Sequence, residues 1–534
     1  MLKVGEKVSK IILLYAIGGY LIFPIILSLI TLLVILKFFP NFIKRDKQLQ
    51  IPSYFLWIII IIYGSIFGAM SILRYLSFHT GIFDFGIFDH AVWNIAKRSD
   101  FKYLSLGHFR PILGVYSLFY KVYPSGIILL ILQTLTIGLS AVPLYYIAKR
   151  NLGESYYALL IVIIYFLYAP VEYNNLFDFH TDHLLILLMF LAFYFLEEKN
   201  ALAFVLICLP ALFLKEPLIL TVAMMGLYAM IFHKMYKSGS SIFIGSLIFF
   251  FIVIEIIMPQ LSGFPYGERF KGSFSYLGED VFQIIKSLIF HPWVIIKETI
   301  NVWKMGYIIF LFLPLLFIPF FSFSSLLPVI PALIISLLSR RPNYYWIQNQ
   351  YTASIIAPVF VSLIYALRFL SDRSPYLNRW FKGFFSVNLS KNSVLKISLW
   401  TILVVSLYYN VVLSPSPISI FFWKKIDSSY YHRTSYVVKE RDKVINEAIK
   451  KFIPQQASVT SQSSVNSGYL AHRTEYHPFP DKIGEVDYVV LDRKRAHFVG
   501  DIMDENEYEK EFMRVLNTYK IVFSYDEMYI FKKI

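Results

Sequence analysis

The chain has almost no cysteine: one, Cys208, in 534 residues. No intramolecular disulfide can form, so every part of the molecule must hold together by packing and hydrogen bonding. Charge is also scarce, at 16% of residues, and acidic groups are rarer than basic ones, 35 against 50. The resulting net charge of +15 fits cytoplasmic loops and lipid headgroups in a membrane protein, and equally an anionic, phosphate-bearing ligand. Walker loops, glycine-rich dinucleotide turns and HExxH are absent, which sets nucleotide-driven transport aside. No fixed-period repeat or low-complexity stretch is visible, and no nucleic-acid partner is expected.

What the chain has in abundance is hydrocarbon: 57% hydrophobic residues and a mean hydropathy of +0.58. A membrane span needs about 20 consecutive apolar residues. By length the sequence predicts about twelve, near 11–37, 54–76, 126–147, 156–171, 183–197, 201–214, 217–233, 241–258, 305–322, 324–338, 351–370 and 394–413. The expected fold class is an all-α polytopic protein of the cell membrane. The first run is too long for a signal-peptide core and lacks a small-residue cleavage site, so it should remain as an anchor.

Lys and Arg in short loops set orientation. Lys44, Arg45 and Lys47, then Lys149 and Arg150, then Lys234 and Lys237, then Arg373, Arg379, Lys382 and Lys391 fall on one side if the spans alternate. That side should be cytoplasmic, although Lys3, Lys7 and Lys10 then face the other way. Residues 77–125, 172–182, 259–304, 339–350 and everything after 414 are expected outside. Tyr116–Tyr123 and Val281–Ile289 read as segments lying along the interface. Three parts follow: 1–53, with an extra helix and a cytoplasmic loop; a transmembrane core, 54–413, carrying the large external loop 77–125; and 414–534. After Ser414-Pro415-Ser416-Pro417 no run could span. Val444, Ile445, Ala448, Ile449 and Phe452 share one helical face, Ala457–Ser461 and Asp487–Asp492 read as strands, and 519–533 reads as a hairpin about Tyr525-Asp526-Glu527. This predicts a small extracytoplasmic α/β domain, of a size that can fold alone.

Four polar groups share the external side. Asp84 and Asp89 lie in Phe-Asp-Phe-Gly-Ile-Phe-Asp-His, 83–90, directly after a span. Ionisable groups at that depth are costly and mark function more often than packing; a solvated loop is the bland alternative. Helical positions five apart point in different directions, so the two need not share a site. Asp84, between two phenylalanines and beside Gly86, is the candidate for chemistry, and Asp89 suits a helix start. His108 and Arg110 form the second group, where the planar fork of Arg suits a phosphate oxygen or a lipid headgroup. The third packs Asp178, His180, Asp182 and His183 into six residues. Carboxylate and imidazole ligands together suit several divalent cations, while helix capping and substrate hydrogen bonds compete for the same groups. The fourth, Lys215-Glu216-Pro217, reads as an internal ion pair or as a charged pair lining a cavity. Arg340-Arg341, followed by Tyr344 and Tyr351, would suit a phosphate or pyrophosphate, or simply a hydrated loop.

At these residues the chain resembles a prokaryotic family of predicted membrane proteins, domain of unknown function 2079. The likeness rests on FDFGIFDHAVWN (83–94), GHFRPIL (107–113), LQTLTIGLSAVPLYYIAKR (132–150), NNLFDFHTDH (174–183), LKEP (214–217) and the tail 458–492. More remotely, that family is similar to GT-C glycosyltransferases, multi-span enzymes that use lipid-phosphate sugars and carry an essential aspartate in the first large external loop. The resemblance implies a GT-C-like core with Asp84, then Asp89, as the catalytic carboxylate. It also implies a polyprenyl-phosphate-linked sugar as partner, with the phosphate near Arg110, Arg340 or Arg341. A paired Asp-Asp or Glu-x-Asp is missing from the loop. A secondary transporter and a non-enzymatic assembly or receptor protein are the competing readings. Transporters, however, commonly carry repeated halves and mid-membrane charges, whereas here the polar groups gather near one face.

Overall fold

The computed structural model describes residues 18–39, 50–105, 107–262, 265–381, 389–425, 431–466, 468–498 and 503–534. Among these, eight helices are long and apolar enough to cross a membrane: Gly19–Phe38, Tyr54–Leu76, Ile127–Leu152, Glu216–His233, Tyr236–Leu261, Ile318–Leu338, Gln350–Asp372 and Lys391–Leu413. Ser155–Leu167 and Ala169–Leu176 form an apolar pair bent by 53°, which makes nine where the pair is counted as one span. Pro170 explains the bend, because it lacks an N–H and its ring clashes with the carbonyl four residues back.

The expected count of about twelve is therefore not reached by length among the described residues. Leu184–Glu197 and Ala201–Ala211 are helices where spans were expected, but at 14 and 11 residues they extend only about 21 and 17 Å, short of a hydrocarbon core about 30 Å thick. The predicted run 305–322 is divided where Leu316 and Phe317 adopt left-handed backbone, so that a short helix precedes the span at Ile318. Residues 11–17 of the first predicted run lie outside the described residues, and its remainder packs against Lys391–Leu413.

The C-terminal unit matches its sequence reading closely. Five strands, β1 (Val459–Ser461), β2 (Tyr476–Pro478), β3 (Tyr488–Asp492), β4 (Tyr519–Tyr525) and β5 (Met528–Lys533), form one sheet in the order β2-β1-β3-β5-β4. β1 is parallel to β2 and β3, while β5 runs antiparallel to β3 and β4. Asp526 and Glu527 both have positive φ, the geometry of a tight hairpin whose twist suits the flanking strands. Central β3 is buried on both faces because a helix covers each. Ile445 and Ile449 of Glu440–Phe452 pack on Val459, Val490 and Ile530. Tyr508, Phe512 and Val515 of Glu505–Thr518 pack on Val489, Leu491 and Phe531.

One intrusion ties this unit to the membrane core. Phe78 and Ile82, from the loop after Tyr54–Leu76, complete the first of those two hydrophobic clusters. The loop that carries Asp84 is thus partly built into the core of the C-terminal sheet.

Candidate functional site

Asp84 sits in a widened helical turn, Ile82–Gly86, that leads directly into the helix Ile87–Arg98. The turn closes with Gly86 N–H donating to Gly81 O at 3.0 Å, five residues back rather than four. Such expanded turns bulge the backbone and recur at functional sites. Three supports hold this one. Gly81 N donates to Asp178 Oδ2 (2.8 Å), Ile82 N donates to Ser463 Oγ (3.3 Å), and Asn466 Nδ2 donates to Gly81 O (3.3 Å). Two of the three come from the C-terminal unit.

The Asp84 side chain keeps 39% exposure, whereas its neighbour His180 is 5% exposed. His180 Nε2 lies 3.1 Å from Asp84 Oδ1; an ionised carboxylate only accepts, so Nε2 carries the proton. Burial pushes the Asp84 carboxyl upward, but the His180 hydrogen bond and the Arg110 and Lys215 charges outweigh it and hold the group below its ordinary range. Asp84 is thereby kept as a carboxylate. Lys215 Nζ lies 3.4 Å from Asp182 Oδ1 and over the Tyr351 ring, 5.1 Å from its centroid. Burial likewise opposes ionisation of Asp182, yet Lys215, His180 and Arg110 bring it below the usual carboxylate value.

Glu216 closes the far side. Its Oε1 accepts from His108 Nδ1 (2.6 Å) and Tyr266 Oη (3.0 Å), and its Oε2 accepts from Phe109 N (3.1 Å). Burial dominates at His108 and, with Lys215 and Arg110 nearby, takes its imidazole down to about 4 despite Glu216. Arg110 lies over the Phe88 ring at 4.7 Å. Among the described residues, Arg110 Nε and Asp182 Oδ2 are buried without a hydrogen-bond partner. Asp182 also lines a cavity of about 50 Å³, together with His108, Lys215, Tyr344 and Tyr351. Leu218, Thr221, Ala332, Ile335 and Ser336, from two membrane helices, also line it.

The sequence candidates therefore divide. Asp84, His108, Arg110, His180, Asp182, Lys215 and Glu216 converge. Asp178, at a left-handed φ of 47°, braces the turn from behind with Arg74 at 3.8 Å, and burial lifts its carboxyl to about 6. His183 donates from Nδ1 to His180 O and meets Tyr116 Oη at 3.2 Å through Nε2. The four expected metal ligands thus serve different partners, and among the described residues no group of three or more acidic, histidine or cysteine side chains is placed to share an ion. Arg340 pairs with Glu298 at 3.0 Å and stacks over Tyr276, and Arg341 donates to Lys271 O at 2.7 Å; both are committed elsewhere.

Asp89 is also elsewhere. It is fully buried, with Oδ1 accepting from Tyr120 Oη (2.6 Å) and His472 Nε2 (2.8 Å). Sequence reasoning passed over Gln133, the organiser of the acidic-histidine segment: its Nε2 donates to Asn175 O (2.8 Å) and Asp178 O (2.7 Å), and its Oε1 accepts from His180 N (3.1 Å). The available signal was a lone fully polar amide inside the apolar run 126–147.

Fold and site together define a multi-pass helical membrane protein whose charged, partly open pocket lies at one end of its helices, beneath a small mixed-sheet unit. Residues 74–528 match the family described as "Predicted membrane protein (DUF2079)", and the chain belongs to that family. Among curated proteins, none matches. Of solved structures, ArnT from Cupriavidus metallidurans bound to undecaprenyl phosphate is similar at 10% identity, over 91% of this chain and 99% of that one, with a TM-score of 0.46. Its apo state is similar at 10% identity, over 90% and 99%, with a TM-score of 0.42.

Proposed function

We propose that the protein is a membrane-embedded glycosyltransferase that moves a sugar from a polyprenyl-phosphate donor to an acceptor outside the cytoplasm. The observation that carries this is the cavity itself, where the Lys215–Asp182 pair, with Arg110 close by, and apolar side chains of two membrane helices line one space. An amphiphile with an anionic head and a hydrocarbon chain satisfies both halves at once. The partly exposed carboxylate of Asp84 then lies where a water-borne acceptor can arrive. The charge bias of the short loops supports an external placement for this face and for the C-terminal unit.

In this mechanism Asp84 takes the proton of the acceptor hydroxyl as that oxygen bonds to the anomeric carbon. The bond from that carbon to the phosphate oxygen breaks, and its electron pair leaves on the phosphate. Attack opposite the leaving group inverts the configuration. His180 orients Asp84, while Arg110 and Lys215 face the developing phosphate charge, where fixed cations are most effective. Glu216 and Asp182 hold the cations and His108 in place.

The test is transfer from a labelled polyprenyl-phosphate sugar in membranes carrying the wild-type or Asp84→Asn protein. Loss of product with retained polyprenyl-phosphate binding supports the reading. Wild-type transfer by Asp84→Asn removes its centre. Accumulation of an unmodified solute inside liposomes, with no covalent product, would instead establish transport.

A further inference from the structure

A second cavity, of about 290 Å³, opens between the C-terminal unit and the membrane core, with the Asp89 partner His472 in its lining. That volume is near the lower end of ordinary ligand pockets. Its polar groups are Ser125, Asn446 and His472, and its aromatic ones Tyr75, Phe78 and Tyr469. Lys450 at the rim is offset by Glu447 at 3.2 Å, and the Asp89 carboxylate that holds His472 is fully buried, so the lining presents mainly hydrogen-bonding groups and ring faces.

His472 is specifically prepared. Donation from Nε2 to Asp89 Oδ1 fixes the tautomer and leaves Nδ1 as the acceptor nitrogen. Among the described residues nothing hydrogen-bonds to Nδ1. The ring is held by Trp93, stacked at 5.7 Å and 8°, and by Tyr120 edge-on at 5.9 Å. Asp89 Oδ2 is buried and unpartnered, and the bare backbones of Gly468, itself part of the lining, and of Gly126 lie close to it: a Cβ would approach within 3.3 Å and 3.0 Å respectively. A fully buried carboxylate spent on orienting one imidazole at a cavity wall needs a reason beyond packing, because an apolar core would avoid the desolvation.

We infer that this cavity binds an uncharged, hydroxyl-rich ligand of monosaccharide size, its hydroxyls reading His472, Asn446 and Ser125 and its carbon face lying on the aromatic side chains. The site is independent of the donor pocket and does not rest on the transferase reading.

Trp93, stacked on His472, supplies the readout. The full-length protein in lipid nanodiscs is titrated with glucose, galactose and mannose, with glucuronate and inorganic phosphate as charged comparisons. A saturable fluorescence change with a neutral hexose is expected. It should be absent from Trp93→Phe, and about tenfold weaker in Asn446→Leu, the loss of one neutral hydrogen bond. His472→Gln should weaken it similarly, while Asn446→Leu, at a half-buried rim, keeps the test valid if the buried variant folds poorly. The inference is overturned by the absence of any saturable response to the hexoses, by a response unchanged in Asn446→Leu, or by stronger binding of phosphate than of every hexose.

Discussion

Asp84 and Asp89 lie five residues apart on one helical segment and are handled in opposite ways. Asp84 keeps 39% of its side chain exposed and takes its partners from the membrane core, whereas Asp89 is sealed and accepts both from Tyr120 and from His472 of the C-terminal unit. The 82–98 helix is therefore a partition. Asp84 meets a pocket of paired charges lined in part by two membrane helices, whereas Asp89 meets His472 at the wall of a polar cavity beside the sheet unit. The difference teaches that nearness in sequence assigned these carboxylates to different compartments, since a five-residue step on a helix turns a side chain well away from its predecessor.

The sharpest way to break that comparison is to neutralise each carboxylate in turn. Asp84→Asn should lower sugar transfer by about 10²–10⁴-fold, the usual contribution of a positioned base. Asp89→Asn should leave the transfer rate of the folded protein near wild type. Equal losses from both would mean that the partition is not functional.

Packing around Asp89 provides the next test. A methyl group added by Gly468→Ala would land on Tyr75 Oη and crowd Asp89 Oδ2 at 3.3 Å, and one added by Gly126→Ala would come 2.6 Å from the Phe85 ring. Either should cost about 1–3 kcal/mol, as overpacking does, read as a lowered thermal midpoint in detergent. Gly64→Ala, with nothing within 4 Å, is the control expected to change little.

Gln133→Leu, on the Asp84 side, removes the partners of three backbone groups. It should cost about 1–3 kcal/mol for the unsatisfied polar atoms and depress transfer with it, because His180 loses its anchor. Undiminished transfer in this variant would show that the segment 175–180 holds its shape without the amide.

The smallest effect is with pH, and it compares the two faces directly. Burial takes both His108, on the Asp84 side, and His90, on the Asp89 side, down to about 4 from an ordinary 6.5. The unfolded chain then binds more protons than the folded one between those values, so stability is complete above pH 6.5 and declines as pH falls toward 4. His108→Gln should remove part of that decline in thermal midpoint and leave the part due to His90. A slope unchanged by the substitution would contradict a buried neutral His108.

Much of this was readable from the residues. Hydrophobic runs gave the class, and the alternation about Tyr525-Asp526-Glu527 gave the closing hairpin, because periodicity reports local burial. Asp84, the 178–183 segment and Lys215-Glu216 could be singled out because charge beside an apolar run is costly. Their convergence could not be read, since it depends on how helices distant in sequence pack. Nor could the commitment of Arg340 to Glu298, an ion pair across 42 positions, or the shortness of helices such as Ala201–Ala211, where an apolar run continued past the point at which the backbone turned. His472 carried no local signal at all: its role exists only through Asp89, 383 residues earlier.

That separation has a consequence for the order in which the protein becomes competent during synthesis. Ser463 and Asn466 brace the turn bearing Asp84, and Phe78 and Ile82 lie in a hydrophobic cluster built mainly from residues 445–530. While the membrane helices are being inserted, the Asp84 turn lacks these supports. It acquires them only when the last fifth of the chain has emerged and folded against it, at the entropic cost of closing a very long loop. A chain cut short before the sheet unit would carry every charged residue of the pocket and still lack the braces that give the Asp84 turn its geometry.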